Sequence, residues 1–378
     1  MARGAGIAAV FLVAALAVLW AAFRVWPVAR PHPATPIGAV VEVGARSNAN
    51  LVGVEPYLAP LDYQSADALR AKLGVYLAEA QHRELLAARA IVVFPEHVGT
   101  WLAAADGPAA AYAASDIEGA LAALAAADPF AFLAAYFRSP EKERAVAAIF
   151  RLRSKAMANA YQEVFGGLAR DYGVTVVAGS IVLENPIVEA GRILASEGPL
   201  YNASAVFGPD GAPLPDLVLK VHPIPSESGF LAEGQAAALP AFATPAGRLG
   251  VLICADSWHP ELYEVLREKG VDVLASPAFL QPDNVWAKPW GGYVTPAPAD
   301  LDAADAGSLT EGEAWLKYSM AGRARAAGIQ NGVTAFLRGG LWDLGADGRA
   351  IAIRGDETAI GDFSDGAALA VVWLEEPG

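Results

Sequence analysis

Largely apolar runs of strand length recur along this chain: AIVVFP at 90–95, apolar throughout, VTVVAGSIVL at 174–183, RLGVLIC at 248–254 and VDVLASPAF at 271–279. A run that is apolar at every position suits a strand covered on both faces. Between the runs lie helical patterns. Residues 65–88 place Leu69, Leu73, Tyr76, Leu77 and Ala80 on one side, and a long helix is predicted over about 141–170, ending before Gly173. Pro260 suits the first turn of a helix that Gly270 ends, and residues 311–328 are helical in pattern. Further strands are expected at 38–43, 200–208, 216–220, 332–339, 349–354 and 367–374, with GPDG at 208–211 joining two of them as a hairpin. Strands alternating with helices predict an α/β fold of buried sheets flanked by helices.

Residues 4–23 contain no charge. Twenty helical residues span about 30 Å, the thickness of a bilayer core. Trp20 and Trp26 fall near the far end, where aromatic rings favour the interface. We expect one transmembrane anchor over residues 1–26, then a stiff Pro-rich linker at 27–36, then a single domain over 37–378. A cleaved signal peptide and a buried core helix are the other readings of the run. The acidic, lysine-poor remainder fits an extracytoplasmic domain on a single-pass membrane protein. Net charge is −14, from 27 Lys+Arg against 41 Asp+Glu, which argues against a nucleic-acid partner. A lone cysteine, Cys254, excludes an intramolecular disulfide and a multi-cysteine metal cluster, and the five histidines show no metal-ligand spacing. No metal or cofactor is expected.

Three reactive residue types each end a predicted buried strand. Glu96 follows VVFP, Lys220 ends DLVLK and Cys254 ends RLGVLIC. In α/β architectures, sites are built at strand ends. A thiol at a strand-to-helix turn stands exposed, and a helix N-terminus would lower its pKa. A carboxylate there could act as a general base, and an ammonium could neutralise an oxyanion. Singly, an inert buried cysteine, a solvated loop glutamate and a surface lysine would look the same.

Together these segments resemble the nitrilase, or carbon–nitrogen hydrolase, superfamily. Its Glu-Lys-Cys set is matched by Phe94-Pro95-Glu96, by Leu219-Lys220-Val221-His222 and by Ile253-Cys254-Ala255-Asp256 followed by His259-Pro260-Glu261. Glu227 fits the place of the family's second glutamate. Tyr201-Asn202 with Gly208-Pro209-Asp210-Gly211 is similar to its hairpin, and Arg323-Ala324-Arg325 through Gln330-Asn331-Gly332 to its late helix-to-strand segment. The resemblance covers about residues 38–375. It implies a four-layer α-β-β-α sandwich, here preceded by one transmembrane helix.

It also implies a thiol-dependent hydrolase of a non-peptide C–N bond, acting through a Cys254 thioester. Glu96 would be the base, Lys220 and the Ala255 backbone the oxyanion hole, and Glu227 a support. Trp258, His259 and Phe279 are candidate pocket residues, with packing as their alternative role. Ala255-Asp256 stands where nitrilases usually carry Trp-Glu, which favours an amide over a nitrile. A membrane-associated N-acyltransferase that passes the thioester to an amine is the alternative, and a non-catalytic anchored module a further one. The substrate would be a small-molecule amide or a lipid-linked compound; a homodimer is left open. Residues about 103–150 and 281–310 look inserted. The first carries Phe130, Phe132, Leu133, Tyr136 and Phe137, and is expected to form a helical lid beside the active-site mouth, or else a packing surface.

Overall fold

The apolar runs find their cover in two facing sheets. The structure, a computed structural model, describes residues 2–375, with side chains from residue 14 onward. An eight-stranded sheet runs in the order Ile37–Val43, Ala367–Trp373, Ala49–Glu55, Arg89–Val93, Thr175–Val177, Arg192–Phe207, Ile181–Glu189, and Pro213–Leu219 also pairs with Arg192–Phe207. A six-stranded sheet runs in the order Glu357–Ile360, Ile351–Arg354, Asn331–Phe336, Val273–Ala278, Gly247–Val251, Phe242–Thr244. The helices are α1 (Ala2–Val25), α2 (Ala66–His82), α3 (Ala109–Ala113), α4 (Ile117–Ala127), α5 (Pro129–Arg138), α6 (Arg144–Tyr172), α7 (Pro260–Glu268), α8 (Glu311–Tyr318) and α9 (Met320–Arg323).

Side-chain alternation sorts these elements into layers. From the strand Ala49–Glu55, Val52 and Val54 join one core with Leu69 and Leu73 of α2 and Phe165 of α6. Leu51, which precedes them, joins the other core with Leu249, Val251 and Val333 of the six-stranded sheet. Leu262 and Leu266 of α7 and Met320 of α9 belong to that second core. The order is helix, sheet, sheet, helix, as the resemblance implies.

Two departures from the expected elements have local causes. The strand Ala49–Glu55 sits inside the eight-stranded sheet, yet its text NANLVGVEP shows no clear strand signal. Its Gly53 faces the other sheet: a Cβ there would lie 2.7 Å from Val333 Cγ2. The close sheet contact demands a residue that depresses strand propensity. The run at 174–183 is two strands, Thr175–Val177 and Ile181–Glu189. Gly179 breaks it at φ +64°, and a Cβ there would lie 2.0 Å from the Pro95 oxygen. That glycine lets the backbone pass directly behind the residue before Glu96.

The uncharged N-terminal run forms a single helix, α1, whose Trp20 Nε1 donates to the Ala126 carbonyl at the end of α4 (3.0 Å). The side chains of residues 1–13, on which half of the expected anchor falls, lie outside those described. Among the described residues, no single helix is long and apolar enough to cross a membrane; α4 and α5, bent by 109°, reach that composition only as a pair. The aromatic face of α5 does not pack as a core: Phe130 is 85% exposed and Phe137 76%.

Candidate active site

Glu96 follows the strand Arg89–Val93, Lys220 follows Pro213–Leu219, and Cys254 opens the 3-10 turn Cys254–Trp258 beyond Gly247–Val251. All three are buried, and they meet. Lys220 Nζ donates to Glu96 Oε1 at 2.7 Å and to Glu227 Oε2 at 2.6 Å. Asn202 Nδ2 bridges the same carboxylates, 3.0 Å from Glu96 Oε1 and 3.0 Å from Glu227 Oε1. His97 Nε2 lies 3.1 Å from Glu227 Oε1, and its Nδ1 lies 2.9 Å from Thr100 Oγ1. The ligand atoms of Glu96, His97 and Glu227 lie within 4.8 Å of one another, a metal-site spacing, but the Lys220 ammonium already sits against both carboxylates.

Charge fixes the protonation of this cluster. Burial pulls the Lys220 ammonium down, but Glu227 and Glu96 outweigh it and hold the pKa well above the ordinary lysine value. Burial pushes Glu227 up, yet Lys220 and His97 hold it well below the usual carboxylate range. The thiol behaves differently from expectation. Burial, then the Glu96 charge, pushes Cys254 well above its ordinary pKa, and Lys220 only partly offsets this. The expected helix N-terminus is a single 3-10 turn, and α7 starts only at Pro260, so no long helix dipole points at the sulfur. At neutral pH the resting thiol keeps its proton, and its Sγ donates to the Phe279 carbonyl oxygen at 3.8 Å.

Backbone strain marks the same places. Cys254 has φ +48° and His97 φ +59°, a region costly for residues with a Cβ. Asp256 ties two of the strand ends together. Its Oδ1 accepts the Val221 N–H at 3.0 Å and the His222 N–H at 2.8 Å, so the turn after Cys254 holds the backbone after Lys220. Burial raises its pKa to about 7, against Lys220 and those two N–H groups.

A cavity of about 370 Å³ opens onto Cys254, Glu96, His97 and Glu227. Ala255, Trp258 and Phe279 line it. His259 does not. Its ring is stacked 3.5 Å from that of His222, with Nε2 2.9 Å from Thr295 Oγ1. Burial, then His222, lowers its pKa to about 4. The sequence places this histidine five residues after the nucleophile, but its ring is engaged by His222 and by Thr295 of the following loop.

The lid expectation also needs correction. No residue of 103–150 lines the cavity, whereas the second inserted segment supplies Val285, Trp290, Tyr293, Val294 and Thr295. Tyr293 Oη donates to the Trp258 carbonyl at 3.1 Å, and Arg323 holds the segment through Tyr293 Oη (3.0 Å) and Asp300 Oδ2 (2.7 Å). The aromatics of the first insertion were the stronger compositional signal. The Pro/Gly text of the second gave no hint of where it folds.

Asn202 and Asp256 stand in the motif segments, and His97 directly follows Glu96, yet none of the three was assigned a role. Only the fold shows that Asn202 and His97 face the carboxylates. A strand-end motif does not say which neighbouring side chain points inward.

Residues 65–294, more than half of the chain, match the carbon–nitrogen hydrolase family model. A nitrilase of Pyrococcus abyssi is 33% identical over 113 residues, which is 30% of this chain and 37% of that protein. An omega-amidase of Xenopus laevis is 32% identical over 124 residues, 30% of this chain and 40% of that protein. The matches thus span well under half the length of these curated relatives. Among solved structures, a mutant of the Nesterenkonia AN1 amidase from the nitrilase superfamily superposes with a TM-score of 0.52 at 18% identity, covering 88% of this chain and 92% of that one. At that identity the likeness concerns the fold.

Proposed function

Since this chain belongs to the carbon–nitrogen hydrolase family, we propose that it hydrolyses an amide-type C–N bond through a thioester on Cys254. The observation that carries this reading is that Cys254 and Glu96 line one cavity and the Lys220 ammonium is bonded to Glu96 just behind its surface. The thiol starts protonated, so the first step is removal of its proton by Glu96 as the sulfur attacks the carbonyl carbon. The C=O pair moves to oxygen, and the oxyanion is met by the Lys220 ammonium and the Ala255 N–H. Glu96 returns the proton to the leaving nitrogen as the C–N bond breaks, leaving the thioester. Water, deprotonated by Glu96, then cleaves the thioester to the acid and restores the thiol. Glu227, Asn202 and His97 hold Lys220 and Glu96 in register, and Asp256 fixes the backbone beside them. No step calls for a metal or an organic cofactor.

The test is release of ammonia or amine from simple amides. Cys254→Ala should abolish it and leave the melting temperature near that of the unaltered protein. Turnover surviving in that variant would refute the thiol mechanism. Adding a free amine and analysing products separates the hydrolase from an N-acyltransferase. The hydrolase yields acid alone, the transferase an amide of the added amine.

We further propose that residues 4–26 tie the enzyme to a membrane as a single-pass anchor, with the catalytic domain on the extracytoplasmic side. The uncharged run of α1 supports this, as do exposed Val18, Leu19 and Trp26 and the nearby exposed Phe130 and Phe137. The first insertion then serves as a lipid-side shoulder and not as a lid. Membrane fractionation should find the protein in the pellet after a high-salt wash, and protease added outside the cell should reach the domain. Recovery in the supernatant would count against the anchor.

A further inference from the structure

Beyond the sulfur, the cavity walls carry an aromatic cluster. Trp258 lies 5.0 Å from Trp315, 5.8 Å from Trp290 and 5.6 Å from Tyr293, ring centre to ring centre. No lysine or arginine lines the cavity. Its carboxylates are Glu96 and Glu227, both engaged by Lys220, and Glu311. Glu311 lies in the first turn of α8, but it is not the cap: Glu313 closes the capping box with Thr310. Burial raises the Glu311 pKa, offset only by Trp315 and by no cation. Trp315 itself is 2% exposed, and its Nε1 closes no well-formed hydrogen bond. A partly buried carboxylate with the Trp315 indole beside it therefore borders one aromatic cavity, and no lysine or arginine is among the described residues that line it.

We propose that this end of the cavity is an ammonium subsite, so that the amides cleaved at Cys254 carry a cationic amine on the same molecule. An ammonium would gain the Glu311 charge in a partly desolvated setting and the faces of the tryptophans and Tyr293. A substrate carboxylate would meet Glu311 with no cation to pair with. An uncharged chain would leave Glu311 as it stands. The substrate class rests on the amide-hydrolase reading, but the binding site itself does not.

The two can be tested apart. In the full-length Cys254→Ala protein, calorimetric titration with hexylammonium and with hexanoate reports the subsite without any amide chemistry. Hexylammonium should bind at least about tenfold more tightly, and Glu311→Gln in the same background should erase that preference. Equal binding of the two ions, preference for hexanoate, or a preference that survives Glu311→Gln at an unchanged melting temperature would overturn the subsite. In the active enzyme, kcat/KM for 6-aminohexanamide should exceed that for hexanamide by a similar factor. Turnover of both amides without that difference would overturn the substrate assignment. If the ammonium preference holds and no amide is turned over, the subsite stands and the hydrolase reading fails.

Discussion

At the residue scale, the site is a buried ammonium between two carboxylates, and its energetics follow from that. Removing one member of a buried ion group leaves uncompensated charge, at a cost of about 3–5 kcal/mol. Lys220→Leu strips the cation from Glu96 and Glu227 together. It should lower stability by about that amount in a denaturant titration, besides ending turnover. Asp256 makes a separate, pH-dependent prediction. Its pKa rises from an ordinary 3.8 to about 7 in the folded protein. The folded state thus holds the proton more tightly than the unfolded one, and between about pH 4 and pH 7 stability falls as pH rises. Asp256→Asn keeps one acceptor for the Val221 and His222 N–H groups and removes the titration. Its melting temperature should fall less steeply over that interval, and an unchanged slope would show that Asp256 is not the source. The Glu96, Lys220 and Cys254 set was legible in the sequence because each ends an apolar run. Asn202 was not, since only the pairing of Arg192–Phe207 in the sheet turns it toward Glu96.

At the element scale, close approach of the sheets and exposure of α5 each lead to a measurable outcome. Gly53 sits where the sheets touch, so Gly53→Val would overpack that contact and should cost about 1–3 kcal/mol. Phe137→Ala on α5 should change stability by less than about 0.5 kcal/mol, because that ring is exposed. Phe165→Ala in α6, fully buried, should cost about 3–5 kcal/mol. Thermal or denaturant melts of the three variants check this ordering. Periodicity found α2 and α6 closely and located α5, but it read the Phe130, Leu133 and Phe137 stripe as a lid beside the active-site mouth, or else a packing surface. An apolar stripe shows which residues share a face; it carries no information on whether protein or lipid covers that face. The strand Ala49–Glu55 was missed for the opposite reason: the contact that requires Gly53 weakens its strand signature.

At the scale of the whole molecule, two sheets bring three distant strand ends to one cavity, and the segment 281–310 roofs it through Trp290 and Tyr293. The layered α/β order was readable from alternating runs and helical patterns. The roof was not, because its aromatic residues pack against Trp258 and Tyr318 from other parts of the chain. The central claim is that Cys254 carries the acyl group between these layers. It is tested most directly by intact-protein and peptide mass spectrometry of the enzyme quenched in acid during turnover of an amide. The account predicts a mass increase equal to the acyl group less one hydrogen, located on the Cys254 peptide, removed by hydroxylamine and absent from Cys254→Ala. Rapid turnover with no adduct under any quench, or an adduct on another residue, would contradict it.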